Sequence, residues 1–493
     1  MTRGFVGLAS SSGGGPGGPG KPLNVAAVSV ANGANYDMPV SWNAPVSNGG
    51  SAITDYTIQY STNSGSTWST YSKPASGADT VFSTNIGTGA GSAVNAVATQ
   101  SDKKIIVGGS FTTWNGTTVN RIVRLNSDGT RDTAFTTNVG TAAQQVVTSI
   151  AIQSDGKIVV GGQFTTWNGT TVNRIVRLNS DGTRDTTFTT NTGTGANGSV
   201  FAVAIQSDGK IIVAGSFTTW NGAMVGRMVR LSSDGTREVD FTFNVAGGGD
   251  SSINTIAIQS DGKIIVGGLF TTWGVIATVR GIVRLNTNGS RDTTFTTNTG
   301  AGAVAPSVYS VAVQSDDKIL VCGDFGNWNG VNVGAIVRLN SNGTRDTAFT
   351  TNVGTGSDGL PINVATVQSD GKILVGGEFA YWNGVLVDCI VRLNSDGTRD
   401  TTFTTDTNTP NGYVECFALQ SDGDIVVGGD FTLWGIVNAP GVVFLNLNNS
   451  TSVVASGLTA NGTSYIFRVL ATNVIGSGPY SDASSAVVNG ISE

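Results

Sequence analysis

Residues 149–188 read SIAIQSDGKIVVGGQFTTWNGTTVNRIVRLNSDGTRDTTF, and close copies of this stretch recur along the chain. The tripeptide Gln-Ser-Asp marks the copies and begins at seven positions, 52 to 55 residues apart: Gln100, Gln153, Gln206, Gln259, Gln314, Gln368 and Gln420. Repetition at a near-constant spacing is the sequence signature of a repeat architecture. Most of the 493 residues therefore belong to one repeated structural unit.

The pattern within one copy is typical of β-structure. Ile150 and Ile152 alternate around a small residue, as in a half-buried strand. The Asp-Gly pairs at 155–156 and 181–182 tolerate the positive φ that tight hairpin turns need. No segment shows a helical period, so each copy predicts four antiparallel strands, here near residues 150–152, 157–160, 174–178 and 183–188.

Four strands in each of seven copies predict an all-β fold with a seven-bladed β-propeller over residues 79–449; an open solenoid is the alternative. The phenylalanine that ends the fourth predicted strand also occurs seven times: Phe82, Phe135, Phe188, Phe241, Phe295, Phe349 and Phe403. The first of these precedes the first Gln-Ser-Asp, and the last copy lacks this segment. The start of the array is therefore expected to complete the last blade, which closes a ring and removes exposed sheet edges.

These repeats resemble the delta-60 repeat family of bacterial and phage proteins. The resemblance covers residues 79–449 and rests on the sevenfold recurrence of the motif. It implies a propeller and brings no settled biochemical activity with it.

The segments on either side of the repeats look like two halves of one fibronectin type III domain, an immunoglobulin-like β-sandwich. The first half, residues 21–78, contains VSWNAP and ITDYTIQYS, and the second half, residues 450–493, contains YIFRVLATN. Leu458 and Tyr465 match the corner before strand F of that fold, and Phe467, Val469 and Ala471 alternate as core positions. The propeller is therefore expected to be inserted into the sandwich. Residues 1–20 form a Gly-rich tail.

Composition excludes several classes of function. A net charge of −6 without a basic cluster argues against nucleic acid as a partner. The absence of histidine excludes His-based triads and His-ligated zinc. Cys322, Cys389 and Cys416 are expected to be buried thiols, because they form neither a CxxC pair nor a disulfide framework. No run is long enough to span a membrane, and the apolar part of the N-terminal segment is too short for an export signal.

Seven tryptophans recur once per copy and are the candidate ligand-binding residues: Trp114, Trp167, Trp220, Trp273, Trp328, Trp382 and Trp434. The favoured interpretation is packing between blades, with each indole N–H bonded to backbone, because binding rarely needs every blade. The alternative is a set of aromatic platforms that stack on sugars.

Other repeated polar residues suggest structural roles. The Asn-Ser-Asp-Gly-Thr-Arg-Asp segments read as hairpin turns, because they lack the further acidic ligands of a calcium loop. The arginine pairs, such as Arg174 and Arg177, are expected to bond the repeated Asp residues. Five acids depart from the repeat and are expected to line one side of the propeller as an acidic patch: Asp324, Glu378, Asp388, Glu415 and Asp430.

The sequence therefore predicts a non-enzymatic adhesion or structural protein, with no catalytic residue, cofactor or metal. The first hypothesis is a bacteriophage virion appendage in many copies, which contacts other virion proteins through the sandwich and tail and presents the propeller to host glycans. The second is a secreted, carbohydrate-binding surface protein of a bacterium. The third is a polysaccharide-degrading enzyme, whose turnover would depend on an off-pattern acid such as Glu378.

Overall fold

The computed structural model describes residues 19–27, 30–32, 35–43, 45–47, 53–71, 77–245, 247–274, 279–303, 307–401, 403, 409–420, 423–435, 437–446, 452–455, 463–473 and 477–489. The chain divides into two compact parts. The repeat domain is Ser76–Leu445, and the flanking domain combines Met1–Ala75 with Asn446–Glu493. Both are built from β-sheets, and the repeat domain also contains short helices.

Each of the seven copies in the repeat domain forms one antiparallel sheet of three main strands, and these copies are called units 1 to 7. The first strands are Val94–Thr99, Val147–Ile152, Val200–Ile205, Ile253–Ile258, Val308–Val313, Ile362–Val367 and Val414–Leu419. The second strands are Ile105–Gly109, Ile158–Gly162, Ile211–Gly215, Ile264–Gly268, Ile319–Gly323, Ile373–Gly377 and Ile425–Gly429. The third strands are Ile122–Leu125, Ile175–Leu178, Met228–Leu231, Ile282–Leu285, Ile336–Leu339, Ile390–Leu393 and Val442–Asn446.

The sheets pack face to face in unit order. All five residues of every second strand are buried, because a neighbouring sheet covers each face. The first strand of each unit lies beside the first strand of the next, and that of unit 7 lies beside that of unit 1. The family of sheets is therefore a β-propeller-like arrangement, with its apolar core between consecutive sheets.

The predicted fourth strand is wrong in six units, where the matching segment is a short α-helix; in unit 6 most of this segment lies outside the described residues. The helices are Thr80–Ile86, Thr133–Val139, Thr186–Thr192, Val239–Asn244, Thr293–Thr299 and Thr347–Val353. In unit 2 the Asp185 carboxylate accepts a hydrogen bond from the Phe188 N–H, which caps the helix N-terminus, and Gly193 ends it at φ 63°. Asp at an N-cap and Gly eight residues later is a helix signature that outweighs the β-propensity of threonine.

The first helix completes unit 7, although it lies at the start of the array. The N–H of Asp79 donates to the Phe444 carbonyl at 2.8 Å, as that of Asp185 does to Arg177 in unit 2. The Phe82 ring stacks on Phe444 at 5.4 Å, and Gly77–Ala78 adds a fourth strand to the sheet of unit 7. The expected offset is present, with a two-residue strand and a helix in place of the predicted single strand.

A two-stranded hairpin that carries the repeated tryptophan lies between the second and third strands. Six hairpins are described: Thr113–Trp114 with Thr117–Thr118, Thr166–Trp167 with Thr170–Thr171, Thr219–Trp220 with Ala223–Met224, Asn327–Trp328 with Val331–Asn332, Tyr381–Trp382 with Val385–Leu386, and Leu433–Trp434 with Val437–Asn438. The sequence did not predict these strands.

The described residues of the flanking domain form two sheets, and each contains strands from both ends of the chain. One sheet contains Leu23–Ala27, Val30–Asn32, Asn35–Asn43 and Ser452–Ala455. The other contains Ile53–Ser61, Ser69–Tyr71, Thr463–Asn473, Ser477–Tyr480 and Val487–Asn489. Trp42 and Tyr56 share one core with Phe467, Val469 and Ala471, which confirms the predicted alternation in that strand. Leu458 lies outside the described residues.

Candidate functional site

The repeat domain has two ends with different chemistry. The turn end holds the Gln-Ser-Asp turns and the Asn-Ser-Asp-Gly turns, which in unit 2 are residues 153–157 and 179–183. The bulge end holds the loops before the first strands and the hairpins, which in unit 2 are residues 140–148 and 163–174. It is named after the β-bulge in every first strand, where residue 148 in unit 2 interrupts the register.

Repeated charged residues near the turn end hold the units together. The Asp185 carboxylate pairs with Arg177 at 2.9 Å and with Lys157 at 3.1 Å, and all three side chains are largely enclosed. The Arg177 guanidinium lies 4.4 Å from the centre of the Phe188 ring and donates to the Ser233 carbonyl of unit 3. The predicted pairing of the second arginine with the repeated acid is therefore confirmed, and this cluster has a packing role.

Hydrogen bonds to Asp185 and to its counterpart Asp132 keep these carboxyls ionised. Burial alone raises the pKa of Asp185, but the Phe188 N–H, Lys157 and Arg177 outweigh it and lower the pKa to about 2. The same balance lowers the pKa of Asp132 to about 2. An acid that is strongly paired and ionised in this way is unsuited to donate a proton in catalysis.

The seven candidate tryptophans are buried, which contradicts a role as sugar platforms. None has more than 4% of its surface exposed, and each packs on the phenylalanine three residues earlier, with ring centres 5.3 to 5.8 Å apart. A sugar needs an open aromatic face, so these residues form part of the core. The expected indole bond to backbone is absent, among the described atoms, at Trp220, Trp328, Trp382 and Trp434.

The Asn-Ser-Asp-Gly segments form the predicted hairpin turns. In unit 2 the Asn179 N–H donates to the Thr183 carbonyl at 2.8 Å, and Asp181 accepts from the N–H and hydroxyl of Thr183. Among the described residues no group of three or more acids or cysteines is placed to hold a metal. Cys322 and Cys416 are buried as expected, whereas Cys389 is half-buried, and all three are free thiols.

The off-pattern acids lie together at the bulge end of units 5 to 7, as predicted. Asp324, Glu378 and Asp430 directly follow the second strands, and each N–H donates to the residue before a first strand. Burial and the nearby carboxylates of Asp388, Asp430, Asp358 and Glu378 raise the pKa of Cys389 to about 12. Asp358 thus belongs to this acidic patch, although sequence reasoning missed it because it lies in a loop of variable length.

Glu415 has an unusual environment within the acidic patch. It occupies the bulge position of the first strand in unit 7, where units 2 and 4 have Thr148 and Asn254. Those two side chains donate to carbonyls of the next unit, at 2.6 and 3.0 Å, which an ionised carboxylate cannot do. Burial, with the charges of Asp430 and Glu378, raises the pKa of Glu415 to about 7.

In units 1 to 3 an arginine occupies the position directly before the third strand, at the bulge end. Arg121, Arg174 and Arg227 have φ of 77°, 76° and 62°, a left-handed conformation in which units 4 and 7 have glycine. Arg227 donates to the carbonyls of Gly249 and Asp250 at 2.8 Å, and Arg121 donates to the Ser110 carbonyl. Arg121 and Arg227 therefore bond backbone, whereas the Nε of Arg174 is buried without a hydrogen-bond partner among the described atoms. None of the three arginines pairs with a carboxylate of the described residues.

A shallow cavity of about 370 Å³ opens at the bulge end between units 7 and 1. Its walls are Ala90–Ala93, Gly429–Thr432 and Gly441, so Asp430 supplies its one charged side chain. Small residues and backbone dominate these walls, and the part of the wall that the structure describes holds no second carboxyl. The cavity offers a polar recess and not a pair of acids such as glycoside hydrolysis uses.

Six segments of the chain match a family model described as "Domain of unknown function (DUF5122) beta-propeller": residues 100–135, 153–188, 206–241, 259–295, 314–349 and 368–403. The chain therefore carries β-propeller repeats. A search of curated proteins found no match. None of the described helices is both long and apolar enough to cross a membrane.

Solved structures of low identity are similar to the chain. YCF48 from Cyanidioschyzon merolae is 11% identical, with a TM-score of 0.42 over 73% of this chain and 97% of that one. The extracellular domain of a putative hybrid two component system from B. thetaiotaomicron is 10% identical, with a TM-score of 0.44 over 95% of this chain and 67% of that one. A gluconolactonase from Xanthomonas campestris is 12% identical, with a TM-score of 0.35 over 87% and 98%.

Proposed function

We propose that the chain is a non-enzymatic structural and adhesion protein in which a closed, seven-bladed propeller is inserted into a fibronectin type III-like sandwich. Contacts between units 7 and 1 support the ring. Asn85 of the helix in unit 7 donates to the Asp128 carbonyl of unit 1 at 2.8 Å, and Asn138 of unit 1 makes the same bond to unit 2. The seam therefore shares this contact with the interface between units 1 and 2.

The observation that carries the proposal is the division of the polar residues between the two ends. Repeated acids and arginines are used in packing near the turn end, where Arg177, Asp185 and their counterparts join the units. Residues that differ between units gather at the bulge end, where no described group of acids or cysteines forms a metal site. A rigid scaffold with one variable face is suited to binding.

The cellular role that we propose is that of a bacteriophage virion appendage, present in many copies and attached through the sandwich and the N-terminal residues 1–20. Mass spectrometry of purified virions and of the secretome of uninfected cells tests this assignment. We expect the chain in particles, at a copy number above that of single-copy components. Detection only in the uninfected secretome would contradict it.

The second candidate is a secreted bacterial protein that binds carbohydrate. Exposed tyrosines at the bulge end favour it, because Tyr381 and Tyr413 are 46% and 44% exposed and each backbone N–H bonds to an acid of the patch. Aromatic faces beside carboxylates suit sugar hydroxyls. A glycan array is expected to show a signal that Tyr381→Ala with Tyr413→Ala removes; retention by that variant, or no signal, would exclude sugar binding there.

A further inference from the structure

The charge of the bulge end changes sign from one half of the ring to the other. Each unit places two residues side by side there, which we call its rim pair: the residue after the second strand and the left-handed residue before the third. In unit order the rim pairs are Ser110 and Arg121, Gln163 and Arg174, Ser216 and Arg227, Leu269 and Gly281, Asp324 and Ala335, Glu378 and Cys389, and Asp430 and Gly441. The first three are cationic, the fourth is neutral, and the last three are anionic.

The same backbone bonds define the rim pairs in different units, so their equivalence is structural. The N–H of Leu269 donates to the Ser252 carbonyl at 2.9 Å, as that of Asp324 does to Ser307 at 2.8 Å. Arg174 and Cys389 both donate from their N–H to the phenylalanine after the second strand, at 2.7 Å. The charges therefore stand at matching positions around the ring.

Neighbouring residues reinforce the difference between the two halves. Asp358, Asp388 and Glu415 add carboxyls to units 6 and 7. Every described Lys or Arg of units 5 to 7 lies on a third strand or at the turn end, and none lies at the bulge end. Unit 4 carries Asp250 and Arg280, whose charges cancel. The bulge end thus has a cationic arc over units 1 to 3 and an anionic arc over units 5 to 7.

From this pattern we infer that the bulge end binds a second copy of this chain, face to face, about a two-fold axis that lies in the face. The inference rests on the seven-unit ring proposed above. In a ring of seven, a line through unit 4 passes between units 7 and 1. Rotation about that line places unit 1 on unit 7, unit 2 on unit 6 and unit 3 on unit 5 of the other copy.

This rotation places opposite charges against each other at every charged rim pair. Arg121 faces Asp430, Arg174 faces Glu378, and Arg227 faces Asp324, and symmetry repeats each contact. Leu269, which is 36% exposed, lies on the axis and meets its own copy without a charge conflict. Exposed apolar residues around the anionic arc supply further contact area: Val331, Leu360, Tyr381, Val385, Leu386, Tyr413 and Leu433. A face with this pattern is complementary to itself.

Sedimentation velocity of the purified full chain at low and high salt tests the pairing. We expect a dimer in about 20 mM NaCl that dissociates in about 0.5 M NaCl, because salt screens charges across an exposed interface. A monomer at every concentration in low salt would overturn the inference and would leave the anionic arc for a cationic partner of another kind.

A triple variant separates local complementarity from net charge. Asp324→Asn, Glu378→Gln and Asp430→Asn keep the hydrogen-bond acceptors and remove three negative charges. We expect the dimer dissociation constant to rise by at least about tenfold, because six exposed ion pairs are lost across the symmetric interface. Ser101→Lys, Ser154→Lys and Ser207→Lys change the net charge equally at the exposed turn end and should leave the dimer intact. Equal weakening by both variants would refute the arrangement.

The axis is tested at Leu269. Leu269→Lys places two like charges against each other and should give a monomer, whereas Leu269→Met should remain a dimer. Dimerisation of Leu269→Lys with unchanged affinity would exclude an axis through unit 4. Circular dichroism of each variant confirms that it is folded. These measurements report only the association of the purified chain. The virion assignment is tested separately by localisation, and the closed ring is tested separately by the unfolding of Phe82→Ala.

Discussion

At the scale of single residues, the same amino acid has different roles at the two ends of a unit. Arg177 is buried between a carboxylate, an aromatic ring and a carbonyl of the next unit, whereas Arg227, at the rim of unit 3, donates to backbone carbonyls. Asp185 is enclosed and strongly ionised, whereas Glu415 lies among other carboxyls that oppose its ionisation. Burial and neighbouring charge, and not residue type, decide which acids stabilise the fold and which are available to a partner.

Asp185→Ala should lower the free energy of unfolding by about 3 kcal/mol at pH 7, because Arg177 loses its buried partner and the helix loses its cap. Asp185 has a lowered pKa, so its contribution is present above about pH 4 and is lost as the pH falls through about 2. Urea unfolding of both proteins from pH 7 to pH 2 should show the difference shrinking. Asp181→Ala, in an exposed turn, should cost less than about 1 kcal/mol. Equal effects of the two substitutions would contradict the packing role.

Glu415→Gln should stabilise the protein at pH 8 and not at pH 4. The pKa of Glu415 is raised to about 7, so the stability it contributes is present below about pH 4 and is lost as the pH rises through 7. Because glutamine does not ionise, the variant avoids this loss, which amounts to up to about 3 kcal/mol of the free energy of unfolding. Thermal unfolding of both proteins at the two pH values measures the effect. A shift of the same size at pH 4 would show that packing, and not charge, is responsible.

At the scale of elements, close approach between sheets limits the side chains that a second strand can carry. A Cβ added at Gly161 would lie 2.6 Å from the Val200 side chain of the next unit. The Val203 side chain of the same strand lies 3.1 Å from that position, so two β-branched side chains crowd it. The second strands therefore end in Gly-Gly in most units because the adjacent first strand occupies the space.

Gly161→Ala should destabilise the protein by about 2 kcal/mol, because the added methyl group separates units 2 and 3. Gly326→Ala is the matched control, since a Cβ there meets nothing within 4 Å and its φ is not positive. That substitution should be neutral or stabilising by about 0.5 kcal/mol. Chemical denaturation of the two variants measures the difference in stability. Similar denaturation midpoints would contradict the close packing of neighbouring sheets at Gly161.

The helices show why the sequence pattern led to a wrong prediction of a fourth strand. Threonine-rich segments such as residues 186–192 have the composition of strands, yet Asp185 and Gly193 cap them as helices. In units 1 to 5 the helix places Phe188 or its counterpart under the arginine of the same unit, and tertiary contact therefore supports the helical form. The hairpins were missed because two-residue strands are shorter than any sequence period can reveal.

At the scale of the whole molecule, the two ends of the repeat array meet in unit 7. Phe82 is buried against Phe444, although 362 residues separate them in the sequence (444 − 82). Phe444 takes the place of the arginine that lies over the ring in units 1 to 6. In unit 7 an aromatic ring therefore covers the helix phenylalanine, where a guanidinium covers its counterpart in units 1 to 6.

Phe82→Ala should lower the unfolding free energy of the repeat domain by about 3 to 4 kcal/mol, because it leaves a cavity beside Phe444. Phe82→Leu keeps most of the volume and should cost less than about 1.5 kcal/mol. Differential scanning calorimetry measures both. An alanine variant as stable as the parent would show that the N-terminal helix contributes nothing to unit 7 and that the ring is open.

The excised segment 76–445 should fold alone, since its cores lie within the repeat domain. Residues 19–75 should not fold without residues 446–489, because the strand Ile53–Ser61 pairs with Thr463–Asn473 and their side chains share one core. Circular dichroism and amide exchange of the two fragments test this. Cooperative folding of the N-terminal fragment alone would contradict the shared core.

Sequence alone determined the repeat and its turns, because turn chemistry is local and the motif recurs seven times. It also determined the pairing of the two flanks, because the alternation of apolar residues in their strands is a local pattern. It also identified the off-pattern acids of units 5 to 7 as a group. Only the tertiary structure decided that the tryptophans are buried, that six of the segments predicted as fourth strands are helical, and that the rim residues of units 1 to 3 and of units 5 to 7 lie at the same end of the sheets. Burial of the tryptophans and the placement of the rim residues depend on packing between units, which no local pattern encodes. The helices have a local signal in their Asp and Gly caps, which the threonine-rich composition obscured.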